Sequence, residues 1–64
     1  MTFTKTSNYT WESKLEGLHY YIDLETFNGE RNMYYLTIMK GDDVIENDLS
    51  FFKLNEAKQY AKQY

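Results

Sequence analysis

Met33-Tyr34-Tyr35-Leu36-Thr37-Ile38-Met39 is a run of seven uncharged residues near the middle of a 64-residue chain. Aromatic and β-branched side chains dominate it, and both types pack well on a pleated, half-buried surface, so the run predicts a β-strand. Successive side chains of a strand point to opposite faces. Tyr34, Leu36 and Ile38 therefore share one face, and Met33, Tyr35, Thr37 and Met39 share the other. The first set is apolar or aromatic throughout, and the second is apolar enough to be half covered. This is the pattern of an interior strand in a small sheet.

Upstream, residues 1–8 are polar and threonine-rich, and they read as an N-terminal arm that is either flexible and frayed or anchored to the sheet through Phe3. From Tyr9 an alternation begins. Tyr9, Trp11, Ser13 and Leu15 fall on one side and Thr10, Glu12 and Lys14 on the other, as in a strand with one wet face. Glu16-Gly17 is a hairpin signal, weaker than Asn-Gly or Asp-Gly. Residues 18–26 alternate again, with Leu18, Tyr20, Ile22 and Leu24 apolar and His19, Tyr21, Asp23 and Glu25 opposite. Asn28-Gly29 is the strongest turn signal in the chain, because both residues tolerate the positive φ of a type I′ turn. It places a loop over 27–32.

Downstream of the central strand, Gly41-Asp42-Asp43 predicts a turn, and 44–48 a short acidic edge strand whose charges discourage pairing with other chains. Residues 49–52 carry the chain toward the last element, with Phe51 and Phe52 expected to seal the join. That element is a helix over 54–63, where Leu54, Ala57, Tyr60, Ala61 and Tyr64 form one apolar stripe. Asn55 is a candidate N-cap, and Lys58 and Lys62 suit the negative end of the helix dipole. A helix this short is marginal alone, so it must dock on the sheet. The expected fold is α+β: an antiparallel meander of three to four strands with one C-terminal helix on one face, in a single domain spanning 1–64.

Composition limits what such a domain can be. A chain of this length buries only roughly 60% of the surface its unfolded form exposes, and with no cysteine and one histidine it has neither a disulfide nor a zinc site to compensate. Twelve aromatic residues are the alternative, each able to bury on the order of 150–250 Å². The lack of cysteine, of an apolar run in 1–8 and of any apolar stretch near the roughly 20 residues a span requires predicts a cytoplasmic protein that enters no membrane.

No pattern of catalytic chemistry stands out. His19 shares its face with Tyr21, Asp23 and Glu25 and reads as a surface histidine, since nucleophilic catalysis needs base and nucleophile within hydrogen-bond reach. Asp23 and Glu25 are neighbours on a solvated face and not a paired-carboxylate site. Asp42, Asp43, Glu46 and Asp48 crowd four carboxylates into seven residues without calcium-loop spacing, and read as a solvated turn and edge. The expectation is a non-enzyme with no cofactor and no metal.

The net charge of −3 is unevenly spread. Residues 16–30 hold Glu16, Asp23, Glu25 and Glu30 with no lysine or arginine, as residues 41–50 hold only acids among their charges. Phosphate-backbone binding relies on a basic face, so direct nucleic-acid binding is the lesser expectation. The greater is a protein partner. One helix covers one sheet face, leaving Tyr21, Met33, Tyr35 and Met39 beside His19, with Asp23, Glu25 and Glu30 at the border. Aromatic and methionine side chains inside a polar rim are usual at interface cores. The candidate binding residues are Tyr21, Asp23, Glu25, Met33, Tyr35 and Met39, together with the acidic edge Asp42, Asp43, Glu46 and Asp48. Two other arrangements compete with this: the arm folds over the face through Phe3, or two copies form a homodimer through an edge or through this face.

Two resemblances bear on function. The order of three strands and a helix ending Phe51-Phe52-Lys53-Leu54-Asn55-Glu56-Ala57-Lys58 resembles the arm-binding domains of phage-type integrases over about the last 45 residues. It implies a nucleic-acid-binding module using exposed aromatics, though the basic strands of such domains are missing here. In size, acidity and compactness the chain also looks like the anti-restriction and anti-CRISPR proteins of phages and mobile elements. That likeness implies an inhibitor of a host nucleic-acid-handling protein, presenting carboxylates where phosphates would bind.

Overall fold

The computed structural model describes residues 1–26, 29 and 31–64. Its α+β architecture is a five-stranded antiparallel meander with a C-terminal helix packed against it: β1 (Thr4–Ser7), β2 (Thr10–Leu15), β3 (Leu18–Thr26), β4 (Asn32–Lys40), β5 (Asp43–Phe51) and α1 (Leu54–Lys62). The strands lie in sequence order, β1-β2-β3-β4-β5, so each hairpin sets the register of the next pair.

Two of the hairpins form where the turn residues indicate. Leu15 pairs with Leu18 across Glu16-Gly17, and both turn residues have positive φ, +51° and +81°, as a type I′ turn requires. Lys40 pairs with Asp43 across Gly41-Asp42, where only Gly41 has positive φ, the pattern of a type II′ turn. The turn expected at Asn28-Gly29 and the border position of Glu30 involve Phe27, Asn28 and Glu30, which lie outside the described residues.

Alternation then defines two faces. Trp11 and Ile22, Ser13 and Tyr20, Tyr20 and Ile38, and Ile22 and Leu36 are cross-strand partners on the face that meets the helix. Tyr20, Ile22, Leu36 and Ile38 are buried there against Ala57 and Ala61. Trp11, Tyr34, Leu49, Phe51 and Leu54 pack around this core half-buried.

The structure corrects several expectations. Residues 4–7 are not a loose arm but a fifth strand, paired with β2 at Thr4–Glu12 and Lys5–Trp11. Their alternation puts Lys5 over the Trp11 ring at 5.6 Å, while Phe3 meets Tyr20 edge-on at 6.4 Å. The arm therefore anchors on the helix side and does not fold over the opposite face. β5 continues through 49–51 instead of ending at 48, because two bulges let it follow β4 along its length. Between the Leu36–Leu49 and Ile38–Glu46 pairs β5 carries one extra residue, and it carries another before Met39–Val44. Asp48 sits in the first bulge at φ +55°. Phe51 packs on Tyr60 with ring centroids 5.6 Å apart, but Phe52 is 55% exposed under Arg31 and seals nothing. The helix has no side-chain cap: Lys53 is the N-cap residue, Asn55 lies inside the helix, and the amides of Glu56 and Ala57 bond the Lys53 carbonyl.

Two stability measurements follow from this packing. Leu36→Ala should lose about 2–5 kcal/mol in urea unfolding, enough to unfold much of a domain this small. Glu16→Asn should instead gain on the order of 0.5–1 kcal/mol, because asparagine tolerates the left-handed region better than glutamate and completes an Asn-Gly turn.

Candidate functional site

The face opposite the helix is built by the odd positions of β3 and β4 and the even positions of β2, and the hairpin registers arrange them in rows. One row runs Lys14–His19–Met39–Val44 and the next Glu12–Tyr21–Thr37. Beyond them lie Thr10–Asp23–Tyr35–Ser50 and finally Glu25–Met33. His19, Tyr21, Met33, Tyr35, Thr37 and Met39 are half-buried on this face, and Asp23 and Glu25 are exposed. No helix and no segment of the arm lies over them among the described residues.

Six of the predicted binding residues are thus brought together: Tyr21, Asp23, Glu25, Met33, Tyr35 and Met39. The four acidic residues of the edge are not. Asp42 is in the β4–β5 turn and Asp43 opposes Lys40, whose alternation belongs to the helix side. Asp48 occupies a bulge. Between the two bulges the alternation of β5 inverts, so Glu46 opposes Ile38 and faces the helix side, where its charge reaches Tyr64. Burial of the Tyr64 phenol and then that carboxylate raise its pKa above the usual tyrosine value.

Polar contacts join β2 and β3 across the open face. His19 Nε2 and Glu12 Oε1 are 2.9 Å apart, and the Tyr21 hydroxyl lies 2.9 Å from His19 Nδ1. Asp23 Oδ1 accepts the Thr10 hydroxyl at 3.0 Å. The hydroxyl of Thr6 and then the imidazole of His19 hold the Glu12 carboxyl below its ordinary value. Glu12 was not among the expected site residues. Its place was legible from register: once Glu16-Gly17 closes a two-residue hairpin, Glu12 opposes Tyr21 and stands diagonal to His19.

Carboxylate, imidazole and phenol in sequence resemble a relay, but the ring geometry does not align one. His19 and Tyr21 stack with centroids 4.0 Å apart and planes 22° from parallel. That puts the phenol oxygen above the imidazole face, whereas the lone pair of Nδ1 lies in the ring plane. The contact locks two side chains together more than it prepares a proton transfer. A depression of about 370 Å³ adjoins His19, formed by the β2–β3 turn with Lys14, Leu18 and Gly41, but it opens at the end of the sheet away from Tyr35. Among the described residues no three His, Cys, Asp or Glu side chains are grouped to hold a metal ion, and no helix is long and apolar enough to cross a membrane.

Comparison with known proteins returns no match: no family model fits the chain, and no curated protein or solved structure is significantly similar to it.

The Glu12 contacts set a pH dependence. A carboxyl with a depressed folded-state pKa contributes stability that is complete above its unfolded value and is lost as pH falls through the folded one. Thr6→Val should therefore raise the Glu12 pKa toward normal, followed by NMR titration of its side-chain carboxyl. It should also flatten the loss of stability below the ordinary glutamate range.

Proposed function

We propose that this chain is a non-enzymatic interaction domain that binds a protein partner through the open face of its sheet. The observation that carries this reading is the position of Phe3. By packing on Tyr20, on the helix side, it leaves the Tyr21, Met33, Tyr35 and Met39 surface without a cover among the described residues. Apolar and aromatic area gathered on one face of so small a protein marks an interaction site, and half-buried Met and Tyr bordered by carboxylates have the composition of an interface core with its rim.

The sign of the charge selects the partner. Glu12, Asp23 and Glu25 stand on this face against Lys14 and His19, and the chain as a whole is acidic. Such a surface suits a basic groove of the kind that handles nucleic acid, where carboxylates take the place of phosphates. An inhibitor of phage or mobile-element origin, acting in the cytoplasm of a host cell, fits that chemistry. The same acids weigh against stacking bases on Tyr21 and Tyr35, since a strand's phosphates would meet carboxylates there.

Capture from a bacterial lysate with purified protein tests the reading when paired with variants. A Met33→Ser, Met39→Ser double variant should lose the captured protein, while Lys58→Ala on the helix should retain it, and added salt should weaken capture steeply. Tight binding of labelled DNA or RNA at physiological salt in a mobility-shift assay would overturn it. So would a sedimentation mass showing two copies joined through this face.

A further inference from the structure

We propose that Asp23 and Tyr35 together form a receptor for an arginine side chain of the partner, an inference that rests on the open-face reading above and gives it a chemistry. The aromatic side chains elsewhere point to it. Lys5 lies over Trp11 at 5.6 Å, Arg31 lies over Phe52 at 4.5 Å, and His19 stacks on Tyr21 at 4.0 Å. Tyr35, central in β4 and half-buried, has neither an aromatic nor a cationic partner of this kind among the described residues.

A carboxylate stands directly beside that residue. Asp23 is the cross-strand partner of Tyr35, and directly opposed residues on one face hold their Cβ atoms roughly 4.5–5.5 Å apart. The Thr10 hydroxyl bonds Oδ1 of Asp23 at 3.0 Å, which orients the group and leaves Oδ2 to accept from outside. Among the described residues Asp23 has no salt bridge; the His19–Glu12 pair spans the next row and the one beyond it. Glu25 is two positions along β3 on the same face, diagonal to Tyr35, and makes no salt bridge among the described residues.

Arginine fits this pair better than lysine for a geometric reason. Its guanidinium is planar, so one edge can donate two hydrogen bonds to a carboxylate while its face lies on an aromatic ring. An ammonium is a strongly hydrated point charge and cannot do both as well. The site therefore separates two basic partners of equal charge by shape.

Peptide titrations followed by ¹⁵N–¹H NMR test this. The probes are an acetylated and amidated Thr-Arg-Thr-Arg-Thr-Arg-Thr peptide and its lysine counterpart, added to the full chain at low salt. The arginine peptide should bind roughly two- to fivefold tighter, with shifts centred on residues 22–24 and 34–36. Tyr35→Leu should abolish that preference while lysine binding persists, and Tyr35→Phe, which keeps the ring, should retain it. Asp23→Asn should weaken both peptides by roughly two- to fivefold. Equal affinity for the two peptides, with shifts still on the open face, overturns the arginine receptor and leaves the open-face reading standing. Shifts confined to 42–48 or to the helix overturn the receptor and count against the open face as well. No binding of the arginine peptide overturns the receptor, and the lysate capture then judges the open face separately.

Discussion

Ala57 and Ala61 let α1 lie close against Tyr20, Ile22, Leu36 and Ile38, and the remaining packing is arranged around that contact. A larger side chain at either alanine would hold the helix away from the sheet and open a gap that a core this small has no other residues to fill. The central pairs of the meander, Ile22–Leu36 and Tyr20–Ile38, are apolar because they lie beneath this helix. Phe3, Trp11, Tyr34 and Phe51 widen the covered area from the sides. Aromatic packing takes the place of the disulfides or metal that domains of this size often need. The helix covers one face, and the constraint passes to the other. Whatever lies there must be stable half-wet, and tyrosine, methionine and threonine meet that condition.

Both edge pairings are irregular, β1 against β2 between Lys5 and Ser7 and β5 against β4 at two places. β5 carries two bulges, a left-handed Asp48 and a series of carboxylates, all of which disfavour pairing with another strand. The bulges have a second effect. They invert the inside–outside order for the residues between them, which turns Glu46 toward the helix side and restores Leu49 and Phe51 to the core face. A carboxylate that looks in the sequence like part of an acidic stripe thus acts on Tyr64 at the end of the helix.

Much of the fold was legible. Strict alternation in 9–15, 18–26 and 33–39, with turn residues between them, leaves little choice but a meander, and the core residues Tyr20, Ile22, Leu36 and Ile38 follow from it. The fifth strand was harder to see because Thr4–Ser7 has no apolar face of its own: β1 is held by backbone hydrogen bonds to β2 and by Phe3 at its start. The missing helix cap and the exposure of Phe52 were likewise illegible, since both depend on the path from β5 into α1. For the candidate site, the six residues of the open face were recoverable from alternation alone. Glu12 needed the register as well, and the dispersal of the acidic edge needed the bulges.

By itself the sequence determined that its three alternating segments form strands, where two hairpins turn, which positions are apolar enough to be core, and that one amphipathic helix follows. These are local properties, set by side-chain periodicity and by the few residues that tolerate positive φ. The tertiary structure decided which face the arm and helix share, that Phe3 packs on Tyr20 and not over Tyr35, and which cross-strand pairs place Glu12 beside His19 and Asp23 beside Tyr35. Those outcomes depend on contacts between segments distant in the chain, where a single extra residue in a strand reverses every side chain beyond it.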